Sequence, residues 1–280
     1  MIALSLLAFV LVGYGFSVLF LPSKLRSNTL LFAPWMGIVF IIYSGLALNL
    51  GRVAMNEELL VGRGFRGFQF IILLAIIATL YAAFYFKRKF FQFKKSHLLI
   101  FFFSLVILTL LQYIPIKKQM SIITSSNYLL EQTITDTLLK THKVSNNDLL
   151  IGIPLVIAFL RSIYPFISIE LLSQIANFYV RLIIYAGIFI CSLIFLKEVV
   201  INNSIVIRGS ELLFVIFMFA LFSINIPLAI ITLFLLLLYS IYQTYDKKSL
   251  LPLYKTGIIV LLLLLINPLY TGLLLHLYFP

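Results

Sequence analysis

The sequence predicts an all-α protein, a polytopic transmembrane bundle of about seven to nine membrane helices, some of them short or broken. Of its 280 residues, 62% are hydrophobic and 11% are charged, whereas soluble domains carry about 25% charged residues. The mean hydropathy is +1.13. Apolar runs of about 20 residues recur along the chain, long enough to cross about 30 Å of hydrocarbon. These observations predict a multi-pass protein of the cell membrane.

The predicted spans of the N-terminal part set the topology. Gly13 and Gly15 are small residues that permit close helix approach in the first span. Five basic residues lie between 87 and 95, and two more between 23 and 28. The positive-inside bias puts both loops in the cytoplasm, and hence the N-terminus outside. Because the basic residues follow membrane topology, nucleic acid is not expected as a partner. The four spans are 2–22, 29–49, 68–86 and 98–114.

We interpret residues 1–280 as one transmembrane domain in three parts. Residues 1–114 hold the four spans, 115–148 form an extracytoplasmic loop, and 149–280 form an irregular helical half. In that last part, the interrupted apolar pattern of residues 149–167 predicts a short, tilted or interfacial helix. Residues 168–196 are long enough to cross the membrane. Because proline breaks or kinks a helix, we expect two helices in 211–245, separated at residues 223–227. For the same reason we expect a kink at Asn267-Pro268 in the last span, 256–278. The chain stops at Pro280 without a polar tail, which favours a protein truncated at its C-terminus.

The loop 115–148 holds three of the nine carboxylates in the chain, Glu131, Asp136 and Asp148. Apolar residues recur at near-helical spacing from Ser126 to His142, which predicts an amphipathic helix on the outer face with its acids towards water. One acid, Glu131 or Asp136, would then be a general base or a ligand for a divalent metal ion. The alternative is that both are solvated residues of a surface helix.

Two arginines in the second half are candidates for holding a phosphate. An arginine at the bilayer centre costs roughly 2.5–3.5 kcal/mol on insertion scales, so one retained there usually faces a partner or an aqueous cavity. Arg181 is in the middle of the run 168–196, and Arg161 is in the shorter run before it. A guanidinium group binds phosphate through two parallel hydrogen bonds. A structural pair between Arg181 and Glu170, or snorkelling to an interface, is equally open. Histidine spacing predicts no metal site, and Cys191 is expected to be a core residue.

The order of these segments resembles the N-terminal half of bacterial multi-pass glycosyltransferases of the GT-C type. The similarity covers most of the chain and is one of pattern. The matching segments are Gly13-Tyr-Gly15 to Leu21-Pro22, Ala33-Pro34-Trp-Met-Gly37, Leu48-Asn49-Leu50-Gly51, Ser126-Asn127-Tyr128 to Lys140, and Gly152-Ile-Pro154-Leu.

The resemblance implies transfer of a sugar from a polyprenyl-phosphate donor to an acceptor outside the cytoplasm. The partners would be membrane lipid and the lipid-linked sugar, with Arg181, Arg161, Asn127 and Tyr128 on the substrate side. In that family a catalytic acid of the first large outer loop often precedes an aromatic residue. Here Asn127 precedes Tyr128, so Glu131 or Asp136 would have to serve instead.

A function of a different class fits the same sequence. The predicted breaks at 225–227 and at Asn267-Pro268 suit a transporter or a lipid-flippase-like subunit with a binding site at the membrane midplane. A structural subunit or inactive fragment is the third possibility. A cavity open at the outer leaflet, with Arg181 and an outer-loop acid, would favour the transferase. A cavity between broken helices, with no acid nearby, would favour transport.

Overall fold

The computed structural model is a helical bundle with two short strands. It describes residues 2–47, 58–60, 66–86, 96–100, 102–103, 106–107, 110, 126–141, 143–145, 151–167, 178–201 and 209–266. The basic residues of 87–95, Asp148, Glu170 and Asn267-Pro268 lie outside this part. The helices are α1 Ile2–Phe20, α2 Thr29–Ala47, α3 Arg66–Phe86, α4 Ser126–Thr141, α5 Gly152–Ile163, α6 Phe178–Ile201, α7 Gly209–Ile224, α8 Ile226–Lys247 and α9 Leu251–Ile266; the strands are β1 Glu58–Leu60 and β2 Lys143–Ser145.

Helices α1, α2 and α3 pack closely because glycines lie where they cross. A Cβ added to Gly13 would overlap the carbonyl oxygen of Ala33 and the backbone nitrogen of Gly37, both on α2. A Cβ added to Gly15 would lie 2.6 Å from the backbone nitrogen of Thr79 on α3. One turn of α1 therefore brings the backbones of two neighbouring helices close to its own, as small residues allow. The close approach predicted from Gly13 and Gly15 is confirmed.

The loop 21–28 and the ends of several helices lie at one end of the bundle, which we call the Lys24 end. α7 begins there, because a Cβ on Gly209 would lie 3.2 Å from the carbonyl oxygen of Phe20. The Arg26 guanidinium lies 4.4 Å from the centre of the Phe86 ring, which places the end of α3 there as well. Lys247 Nζ donates to the carbonyl oxygen of Ile201 at 3.3 Å, which brings together the ends of α6 and α8.

The opposite end carries the two-stranded sheet, and we call it the sheet end. β1, between α2 and α3, pairs antiparallel with β2, which follows α4; Glu58 is opposite Ser145 and Leu60 is opposite Lys143. The pairing joins the segments 50–67 and 115–148, which the sequence predicts on one side of the membrane. The sheet end is the predicted extracytoplasmic end, and that orientation stays a prediction.

Four helices are long and apolar enough to cross a membrane, judged by length and composition. They cover Arg26–Gly45, Gln69–Phe86, Arg181–Ile201 and Ile226–Lys247. Shorter apolar helices cover Ser5–Phe20, Gly152–Ile163, Gly209–Ile224 and Leu251–Leu265. The all-α membrane-type fold is thus observed in the described residues, and the total of seven to nine spans stays a prediction.

The second half differs in detail from the sequence-based expectation. α5 is short, as predicted, but Gly152 to Leu160 are all buried, so this helix lies in the protein interior and not at an interface. α7 and α8 are separated at Asn225, within the predicted break. The Asn225 side chain accepts a hydrogen bond from the backbone of Leu228 at 3.1 Å and so caps α8. α9 begins at Leu251, five residues before the predicted start of the last span.

Candidate functional site

Asp136 is accessible on α4 at the sheet end. α4 packs on the core through Leu138, which is 2% exposed, and Thr135 is fully buried beside it. Asp136 forms an ion pair with Lys140 one turn later, at 2.8 Å, and their side chains are 43% and 74% exposed. A pair exposed to this extent typically stabilises a protein by about 0–1 kcal/mol. Asp136 is therefore a solvated carboxylate within reach of molecules at the surface.

The other predicted residues of the loop share this helix. Asn127, Tyr128 and Glu131 belong to α4, and their side chains lie outside the described part. The backbone nevertheless constrains the two acids, because five residues advance a helix by about 140° beyond one full turn. Positions 131 and 136 therefore lie on different sides of the α4 backbone. A general acid and a general base acting together from this one helix are not favoured by that geometry.

Arg181 is the fourth residue of α6, which the structure describes from Phe178 onwards, and its mid-membrane position stays a prediction. The helix continues to Ile201, past the predicted end of the apolar run at residue 196. α6 runs antiparallel to α2: the rings of Phe32 and Phe195 are 5.8 Å apart, and the Trp35 ring packs on Gly187 further along. Because α6 ends at the Lys24 end, Arg181 lies in the part of this helix nearer the sheet end. Residues 168–177, which belong to the same apolar run, lie outside the described residues.

Arg161 lies in the last turn of α5 and contacts the chain that follows the helix. Its guanidinium donates to the carbonyl oxygen of Ile167, beyond the end of the helix. The backbone N–H of Tyr164 donates to the carbonyl oxygen of Leu160 at 2.8 Å in the same turn. The contact between Arg161 and Ile167 holds the turn 164–167 against the end of the helix. Arg161 therefore has a structural partner, and a ligand phosphate would compete with that carbonyl for its N–H groups.

A buried ion pair lies at the Lys24 end and was not predicted from the sequence. Lys255 Nζ of α9 lies 3.0 Å from Glu211 Oε1 of α7, and the side chains are only 6% and 3% exposed. Ser210 donates to the second carboxylate oxygen at 2.9 Å, and Lys255 also donates to the carbonyl oxygen of Val199 at 3.3 Å. The pair therefore joins the end of α6 to the beginnings of α7 and α9.

A sequence signal for this pair existed. Glu211 is the sole charged residue of α7, and Lys255 is the sole charged residue of α9. A lone charge in an apolar helix requires a partner, and here the two helices carry opposite signs. In the same region the hydroxyls of Ser240 and Thr256 lie 2.6 Å apart and join α8 to α9. The polar groups of these buried contacts hydrogen-bond to one another. They therefore hold the helices together and are not available to a substrate.

Within the described ranges, no three His, Cys, Asp or Glu side chains come together to hold a metal ion. Cys191 is buried, as expected of a core residue. Of the two acids proposed as ligands for a divalent ion, the structure describes the side chain of Asp136, and it belongs to no such group of three. The chain was compared with family models, with curated proteins and with solved structures, and none of the three comparisons found a match.

Proposed function

We propose that this protein is a GT-C-like membrane glycosyltransferase, which transfers a sugar from a polyprenyl-phosphate donor to an extracytoplasmic acceptor. The observation that supports this most directly is the arrangement of charges at the sheet end. Asp136 is exposed to water on α4, and Arg181 lies near the described start of α6, in the part of that helix nearer the sheet end. A lipid-linked sugar phosphate also has its reacting group at the boundary between water and lipid.

Each side chain has a role that matches its chemistry. Asp136 is the general base that removes the proton of the acceptor hydroxyl as its oxygen attacks the anomeric carbon. The bond from that carbon to the phosphate oxygen breaks, and polyprenyl phosphate leaves with the electron pair. Arg181 stabilises the departing phosphate through its planar guanidinium group. To act, Asp136 must exchange its contact with Lys140 for the acceptor hydroxyl, which its exposure permits.

The test is turnover of purified protein with polyprenyl-phosphate sugars. Removing a general base typically reduces the rate by about 10²–10⁴-fold, so Asp136→Asn should lose at least two orders of magnitude. Glu131→Gln reports on the other acid of α4. Asp246→Asn is the matched control, because Asp246 is an exposed acid near the end of α8, at the Lys24 end. Unchanged turnover in both α4 variants would remove the site assignment, and no turnover by the wild type would remove the proposal.

The transporter alternative depended on helices broken at the membrane midplane. α7 begins and α8 ends at the Lys24 end, with 16 and 22 residues respectively. At 1.5 Å per residue they span about 24 and 33 Å, so their break at Asn225 is a turn between antiparallel helices near the sheet end. This break offers no midplane site, and the second predicted break at Asn267-Pro268 lies outside the described residues. Glycosyl transfer is therefore the better supported proposal.

A further inference from the structure

The outer face of α9 carries an apolar groove beside the turn that joins α8 to α9. The groove has a volume of about 490 Å³ and is lined by residues of a single stretch, Leu250, Leu253, Tyr254, Gly257, Ile258 and Leu261. That volume is within the range of about 300–1,000 Å³ typical of ligand pockets. Gly257 forms its floor, since a Cβ built there would meet no atom of the described residues within 4 Å.

The length of this groove matches one leaflet of a bilayer. From Leu250 to Leu261 the helix rises about 16 Å at 1.5 Å per residue, and half of the hydrocarbon core is about 15 Å thick. Leu250 lies at the Lys24 end, where α8 has just finished, so the groove runs from the membrane surface towards its centre. An extended acyl chain of one leaflet therefore fits its direction and depth.

Charge at the mouth of the groove selects the lipid headgroup. Lys248 is exposed and stands two residues before Leu250, in a left-handed turn with φ 49° that ends α8. Lys247 precedes it and donates to the Ile201 carbonyl. Asp246 is the acid nearest in sequence, and the segment 246–248 keeps a net positive charge. Lysines at the membrane surface attract anionic headgroups, with about 1 kcal/mol for each.

We propose that the α8–α9 turn and the groove on α9 form a binding site for an anionic phospholipid. One acyl chain lies along Gly257, and the headgroup phosphate is bound by Lys248. Tyr254, 68% exposed and one turn from the membrane surface, borders the chain where an amphipathic ring is favoured. The proposal does not rest on glycosyl transfer, since that reaction is assigned to the opposite end of the bundle.

The test is native mass spectrometry of the detergent-solubilised chain with added phosphatidylglycerol or phosphatidylcholine. We expect the wild type to bind phosphatidylglycerol more tightly, and Lys248→Gln to weaken that binding about fivefold, which corresponds to about 1 kcal/mol. Gly257→Leu should fill the groove and weaken binding of the same lipid, and its Cβ would meet no atom of the described residues within 4 Å. A photoactivatable phosphatidylglycerol should label peptides from 250–261.

Two control variants separate a site from a general surface effect. Lys24→Gln removes an exposed lysine at the same end of the bundle but away from the groove. Ala186→Leu enlarges an exposed small residue on another membrane helix, α6. Both should bind phosphatidylglycerol as the wild type does. Equal binding of the two lipids, or equal weakening by Lys24→Gln and Lys248→Gln, would overturn the proposal in favour of unspecific attraction.

Discussion

Replacing Lys255 with methionine removes the cation of the buried pair that joins α7 to α9. The charged atoms lie 3.0 Å apart and the two side chains are 6% and 3% exposed. Without Lys255, Glu211 keeps the hydrogen bond from Ser210 but loses its counter-charge inside the protein. Removing one partner of such a pair typically costs about 3–5 kcal/mol. We expect Lys255→Met to lower the free energy of unfolding by that amount.

A double variant distinguishes the missing charge from altered packing. Glu211→Met with Lys255→Met removes both charges and leaves apolar side chains of similar size. Replacing a whole buried ion pair in this way is often neutral or stabilising, by about 1–4 kcal/mol. The double variant should therefore recover most of the stability that Lys255→Met loses. That strong non-additivity is expected for two groups in direct contact.

Stability is best measured by titrating the detergent-solubilised protein with sodium dodecyl sulfate, with the thermal midpoint as a second readout. Because about 1 kcal/mol shifts the midpoint of a large domain by about 2–4 °C, Lys255→Met should unfold at least about 6 °C below the wild type. Lys140→Met is the matched control, since it breaks the exposed pair with Asp136 and should cost about 1 kcal/mol or less. The reasoning fails if Lys255→Met and Lys140→Met lose equal stability. It also fails if the double variant loses as much stability as Glu211→Met and Lys255→Met lose together when measured separately.

Two further predictions address helix packing and topology. Gly13→Ala should destabilise the bundle by about 1–3 kcal/mol in the same titration, because the added Cβ overlaps the Ala33 carbonyl oxygen. Gly257→Ala should not, because its Cβ meets no atom of the described residues within 4 Å, and equal effects of the two substitutions would refute the close crossing. A membrane-impermeant thiol reagent added to intact cells should label Thr137→Cys at the sheet end but not Ser27→Cys at the Lys24 end, both exposed positions. The reverse pattern of labelling would invert the predicted topology.

Local chemistry made several features of this fold predictable. The break at Asn225 follows from Pro227, which cannot donate a backbone hydrogen bond, and from an asparagine suited to cap the next helix. The close packing of α1 follows from Gly13 and Gly15. α4 was predicted from apolar spacing over 126–142 and is observed over Ser126–Thr141. In each case the cause lies within one or two turns of the residue concerned.

Features set by distant residues were missed. Glu211 and Lys255 are 44 positions apart, and which apolar helices become neighbours depends on the packing of the whole bundle. The run 168–196 did not give the end of its helix, because an apolar run does not tell how far the helix continues. α6 extends through Lys197 and Glu198 to Ile201, since those charged residues lie at the end of the bundle. The depth of a charge depends on the helix ends, which hydropathy alone does not locate.

Burial separates the charges that hold this bundle together from those that are open to a substrate. Glu211 and Lys255 are enclosed, satisfied by each other and by neighbouring polar groups, and no substrate reaches a carboxylate that is 3% exposed. Asp136 is 43% exposed, and its partner Lys140 can be displaced at the cost of about 1 kcal/mol or less. Chemistry on a bulky lipid-linked donor requires the second kind of group. If glycosyl transfer is found, its base should therefore come from the sheet end, and Glu211 variants should alter stability without altering turnover per folded molecule.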